Sequence, residues 1–223
     1  MLIESELLGT GARVVTFGVS AAALVLAGLS APWRVWLDDR ERQWVWLASL
    51  ALLVGIWSMK AGFTPGLSLR FLLVTALTLM HGWQLAVIGG AMVLAVLCGV
   101  GQADWGGLGA GLLCTAIVPA IVTARLHELV HARLPHNYFV YFFITVFVGS
   151  ALAYNLAGLA RLAILAASGT LDEAHVGAEY FAVLPFMSLG EAVANGMVMA
   201  MAVVYRPKWV MSFDDRLYLE KGR

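Results

Sequence analysis

The feature that most constrains this chain is a succession of apolar runs, each long enough to cross a lipid bilayer. A spanning helix needs about 20 largely apolar residues. Runs of that kind fall at 12–31, 44–60, 66–81, 83–101, 106–126, 137–167 and 178–205. Backbone polar groups inside lipid must be satisfied within the segment itself, so runs like these fold as helices. The expected fold is all-α: a polytopic membrane helical bundle of about seven transmembrane helices. It forms a single domain over residues 1–223 with a short tail at about 206–223. Composition agrees, with 61% hydrophobic and 13% charged residues. Fourteen Lys and Arg balance fourteen Asp and Glu, so no basic face is available for nucleic acid. Cys98 and Cys114 lie in apolar stretches and read as buried thiols, not a disulfide framework.

The third and fourth runs form one apolar stretch from Leu67 to Gly101, too long for one crossing at about 1.5 Å per residue. The break is placed at His81-Gly82-Trp83. Six spans stay open if the two form one re-entrant unit. Loop cations set the orientation. Arg34, Arg40, Arg42, Arg125, Arg133, Arg206, Lys208, Arg216, Lys221 and Arg223 fall on one side, against Arg13, Lys60 and Arg70 on the other. The expected arrangement places the N-terminus outside and the C-terminus in the cytoplasm, in a bacterial inner membrane. Glu4 and Glu6 outweigh Arg13 in the leading region, which argues against a cleaved signal peptide over 1–31. In the first span, Ala23, Ala27 and Ala31 recur every fourth position, as do Gly18 and Ala22. Such stripes permit close helix approach, within the chain or toward a partner.

Ionisable groups within the hydrocarbon are costly and are functional candidates by default. Arg161 in the sixth span and Glu191 near the middle of the seventh stand out. Tyr154 shares a face with Arg161, and Met187, Glu191, Asn195 and Met199 step by four along one stripe. These residues form either a polar pathway between spans six and seven or a structural Arg161–Glu191 pair. Met197, Met199 and Met201 alternate, so they cannot converge on one soft metal ion.

His127-Glu128-Leu129-Val130-His131 matches H-E-x-x-H, with His136 five residues on. Histidines at i and i+4 share a helix face and can bind zinc, with the glutamate as general base. The readings are a polar helix end, a metal-handling cluster of His127, His131 and His136, or a membrane metalloprotease.

Several segments together resemble a known family. These are the opening Met1-Leu2-Ile3, the Pro65-Gly66-Leu67-Ser68-Leu69-Arg70-Phe71 turn, Arg133-Leu134-Pro135 before the aromatic helix at Tyr138-Phe139-Val140-Tyr141, and Tyr205-Arg206-Pro207-Lys208-Trp209. The chain is similar to the cobalt/nickel-type substrate-capture membrane subunits of energy-coupling-factor ABC transporters, and nearest to a branch of predicted permeases related to them. The resemblance implies a capture site near the outer face, with the N-terminus tucked into it. It also implies a transition metal ion (Zn, Cu, Co or Ni) as cargo, a membrane coupling subunit, and cytoplasmic ATPases. The chain has no G-x-x-x-x-G-K-[ST] loop of its own for ATP. In the metal-binding members the ion is held by a Met-His amino terminus and by a His after the turn. Leu2 and Arg70 stand at those positions here. A guanidinium is no metal ligand and stays charged. The alternative function is an accessory or assembly subunit that keeps the bundle without the capture site.

Overall fold

The fold is given by a computed structural model. It describes residues 3–59, 71–170, 176–213 and Tyr218, with the backbone alone for 176–182. Leu2 and Arg70, the two capture-site positions implied by the resemblance, lie outside the described residues.

Among the described residues the regular structure is helical, with no strand. In order come α1 Thr10–Ser30, α2 Trp33–Leu37, α3 Arg40–Ser58, α4 Val74–His81, α5 Trp83–Gly99, α6 Leu108–Leu112, α7 Val118–Arg133, α8 Tyr138–Val140, α9 Gly149–Ala167 and α10 Val176–Tyr205. Two π-helical stretches, Leu113–Ile117 and Tyr141–Val148, join α6 to α7 and α8 to α9. They make the runs Trp105–Arg133 and Tyr138–Ala167 continuous. With Thr10–Ser30 and Val183–Tyr205, these are the four helices among the described residues that are long and apolar enough to cross a membrane. α5 is apolar and 17 residues long.

The break between the third and fourth runs falls where the sequence places it. α4 ends at His81, Gly82 adopts a φ of 88°, and α5 begins at Trp83. Only glycine enters that backbone region without steric cost. The third run departs from a full span. Phe71, Leu72 and Leu73 are not helical, and α4 has eight residues. At about 1.5 Å per residue, α4 covers less than half of a bilayer. All eight of its residues are buried, so it is an internal half-helix.

α9 packs on both α7 and α10, and α4 contacts α5, α7 and α10. α1 lies at the periphery. Its Ala23, Ala27 and Ala31 face inward while Gly18 and Ala22 face outward, so the alanine stripe packs within the chain. The closest approach of α1 is to α6. A Cβ on Gly109 would come within 2.7 Å of the Phe17 backbone nitrogen, and Ser20 Oγ donates to the Gly109 carbonyl at 2.7 Å. Met199 is fully buried while Met197 and Met201 face outward, which is the divergence that alternation on a helix requires.

Candidate functional site

A helix that begins inside a protein exposes N–H groups with no intrahelical partner. α4 begins in this way, and α10 supplies the acceptors. Glu191 Oε2 accepts the Leu72 N–H at 2.8 Å and Oε1 accepts the Leu73 N–H at 2.6 Å. Asn195 Oδ1 accepts the Ala76 N–H at 2.7 Å. Asn195 Nδ2 donates to Glu191 Oε1 at 2.8 Å, which orients the pair. Glu191 and Asn195 are four residues apart on α10, so one helix face presents both. On the other side of the same segment, Trp57 Nε1 donates to the Leu72 carbonyl at 3.2 Å. Leu73 has a φ of 52°, the left-handed region that costs a leucine energy. The carboxylate grip on its amide holds that conformation. A negative carboxylate at a helix N-terminus is also favoured by the helix dipole.

The C-terminal end of α4 is closed by the tail. Met211 and Ser212 donate their amides to the Met80 and Leu79 carbonyls, each at 3.1 Å. Both ends of the half-helix are therefore capped by α10 and the segment that follows it.

Glu191 and Arg161 are both buried, at 2% exposure each. Among the described residues, however, the ion pairs are Arg42–Asp39 and Arg125–Glu128. Glu191 is bound by two backbone amides and Asn195. Tyr154 and Arg161 do share the buried face of α9.

At the opposite end from the tail, the N-terminal segment is packed into the bundle. Ile3 and Leu8 are buried in one cluster with Ala110, Cys114 and Leu165. A Cβ on Gly107 would lie 1.9 Å from the Ile3 carbonyl oxygen, so only glycine permits this approach. The Ser5 amide donates to Asp104 Oδ2 at 3.0 Å, and Thr170 Oγ1 donates to the Leu7 carbonyl at 2.8 Å. Arg13 donates to the carbonyls of Leu8 and Ser5. The Ser5 and Gly106 hydrogen bonds hold the Asp104 carboxyl below the usual carboxylate range. Sequence reasoning did not single out Ser5, Asp104 or Gly107. The available signal was Asp104-Trp105-Gly106-Gly107, an Asx-type turn with a glycine pair.

His127, His131 and His136 gather at the tail end. His136 Nε2 lies 3.2 Å from His131 Nδ1, which is 3.4 Å from the Tyr218 hydroxyl. His127 meets the edge of Tyr141 at 6.1 Å between ring centroids. Tyr141, Phe213 and Tyr218 stack around them, and burial pushes the Tyr218 phenol above its usual value. Glu128 points away to Arg125, at 2.9 Å. Among the described residues, no three His, Cys, Asp or Glu side chains converge as a metal-holding group. These rings receive the tail.

The fold is that of a polytopic membrane helical bundle. Two solved structures share the fold. One is described as a truncated transition metal transporter, 17% identical, covering 92% of this chain and 99% of that one with a TM-score of 0.73. The other is described as a transition metal transporter, 18% identical, covering 90% and 91% with a TM-score of 0.71. No curated protein sequence matches. Residues 3–209 match the family model CbiM, the cobalt uptake substrate-specific transmembrane region, and the chain belongs to that family. It is an integral membrane subunit of the metal-uptake transporter type, a transport component and not an enzyme. The H-E-x-x-H metalloprotease reading falls with that assignment.

Proposed function

We propose that the chain is the substrate-capture subunit of a transition-metal uptake system, working with a membrane coupling subunit and cytoplasmic ATPases. It would sit in a bacterial cytoplasmic membrane with the N-terminal end outside and the tail inside. The observation that carries this reading is the seating of Ile3 against Gly107, with Ser5 tied to Asp104. That is the tucked amino terminus which the family resemblance implies for a capture site. Cation placement supports the orientation: Arg34, Arg40, Arg42, Arg133, Arg206 and Lys208 flank the tail end, and Arg13 the other.

The cargo is a transition metal ion of the Zn, Cu, Co or Ni group. Leu2 and Arg70 depart from the histidines of the nickel and cobalt members, so the ligand set differs from theirs. The same departure favours a second reading, an accessory subunit that retains the bundle without capture. Metal uptake by cells expressing the chain with its native partners separates the two. Accumulation of one of these ions that depends on the chain, with a co-purifying ATPase pair, supports capture. A stable complex without an ATPase and without chain-dependent uptake supports the accessory role.

A further inference from the structure

At the tail end of the bundle, donor atoms from three segments meet at one corner open to water. His131 lies in the last turn of α7, His136 follows Pro135 in the link to α8, and Tyr218 arrives with the tail. His131 is exposed and His136 half-buried, so an ion reaches both rings from solvent. His131 Nδ1 lies 3.2 Å from His136 Nε2 and 3.4 Å from the Tyr218 hydroxyl. The His136 and Tyr218 rings are adjacent, with 5.8 Å between centroids.

Hydrogen bonding accounts poorly for this arrangement. These groups prefer donor–acceptor separations of about 2.5–3.2 Å, and the tyrosine contact is longer than that. One imidazole nitrogen carries either a proton or a lone pair, so His131 Nδ1 serves one of its two neighbours well and not both. The separations match a bound ion better. At metal–ligand distances of about 2.0–2.1 Å, neighbouring corners of a tetrahedron are about 3.3–3.4 Å apart. Imidazole suits divalent zinc, copper and nickel.

The other polar groups nearby are engaged elsewhere. Arg125 holds Glu128 at 2.9 Å, and His127 presents its ring to Tyr141. The donor set is therefore two histidines and a tyrosine, not the H-E-x-x-H pair. Arg133 is exposed, where water and salt screen its charge. Burial pushes the Tyr218 phenol up. A ligand must lose its proton to bind a metal, so the tyrosine bond is the weakest of the three. Such a site fills when the ion is plentiful and empties when it is scarce.

We propose that His131 Nδ1, His136 Nε2 and the Tyr218 phenolate oxygen bind a divalent transition-metal ion of tetrahedral preference, with Zn²⁺ as the type case, and that this ion latches the tail onto α7. Water takes the fourth corner. The tail also caps α4 through Met211 and Ser212, so the latch steadies the half-helix. On the orientation proposed above, the latch faces the cytoplasm and responds to ions already delivered. The binding itself rests neither on that reading nor on uptake.

The test uses the purified full chain in neutral detergent, stripped with a chelator and titrated with Zn²⁺ in a calorimeter. Trypsin cleavage of the tail is timed with and without the ion. The unaltered chain is expected to bind one equivalent more than His131→Ala or His136→Ala, and zinc is expected to slow its tail cleavage several-fold. Tyr218→Phe keeps the ring on Phe213 and Tyr141 and removes only the hydroxyl, so it should weaken that binding about tenfold. Glu128→Gln should bind as the unaltered chain does. A capture site that also takes zinc adds the same equivalent to every variant and leaves the difference intact. Equal stoichiometry in the unaltered chain and both histidine variants overturns the proposal. Zinc bound by the histidines without slower cleavage overturns the latch.

Discussion

Glu191 Oε1 lies 2.6 Å from the amide nitrogen of Leu73, a residue 118 positions earlier in the chain. This contact explains why an acidic residue stands in the middle of an apolar helix. Its carboxylate replaces the hydrogen bonds that the start of α4 cannot make for itself. Removing it leaves the Leu72 and Leu73 amides buried without acceptors, and each such group costs roughly 1–3 kcal/mol. Glu191→Ala should therefore destabilise the protein by about 2–5 kcal/mol, read as a lower thermal midpoint in detergent. Glu191→Gln keeps one carbonyl acceptor and should lose less. Equal stability of Glu191→Ala and the unaltered protein would remove the capping role.

Gly107 tests the seating of the amino terminus. Its missing Cβ would collide with the Ile3 carbonyl. Gly107→Ala should expel the leading segment, making the bonds around Ser5 accessible to protease and abolishing chain-dependent metal uptake. Gly55→Ala is the control, because a Cβ there meets nothing within 4 Å. It should leave proteolysis and uptake unchanged.

Asp104 gives the same anchor a pH dependence. Its folded value is lowered from 3.8 by the Ser5 and Gly106 hydrogen bonds. A lowered carboxyl contributes stability that is present above the ordinary value and lost as pH falls through the folded one. Protease access to the N-terminal segment should thus rise only below about pH 4, a threshold set by that ordinary carboxylate value. In Asp104→Asn, access should be raised already at neutral pH and should not change further across the acidic range.

Tyr218 and His131 test the docking of the tail. Tyr218 stacks on Phe213 at 5.0 Å between centroids and packs on Tyr141 at 5.2 Å. An aromatic pair contributes about 0.5–1.5 kcal/mol beyond its buried area. Tyr218→Ala should loosen the segment after α10 and speed its cleavage several-fold. His131→Ala should do so more weakly in the absence of added metal ion.

Much of the architecture was legible in the chain. Apolar runs of spanning length dictate helices, because lipid offers the backbone no other partner. The His81-Gly82-Trp83 break was readable because a glycine there permits a backbone angle that other residues resist. Glu191 and Asn195 were found as a stripe because their spacing alone puts them on one helix face. What they bind was not legible, since Leu72, Leu73 and Ala76 offer only amide groups, which every residue type but proline carries. The third apolar run read as a span for the same reason: hydropathy cannot distinguish a helix crossing lipid from one buried inside protein.

The histidine motif is legible as a shared helix face and no further. H-E-x-x-H fixes a shared helix face, but a metal centre needs further ligands converging from elsewhere. Here the groups that meet the rings are Tyr141 and Tyr218. The sequence by itself determined that this chain forms a membrane helical bundle, because segment length and polarity are local properties of the chain. Tertiary structure alone decided that α4 stops short, that α10 and the tail cap its two ends, and that Asp104 and Gly107 receive the amino terminus. Those outcomes depend on which distant segments meet, and a buried hydrogen-bonding group is satisfied by whichever partner the packing brings to it.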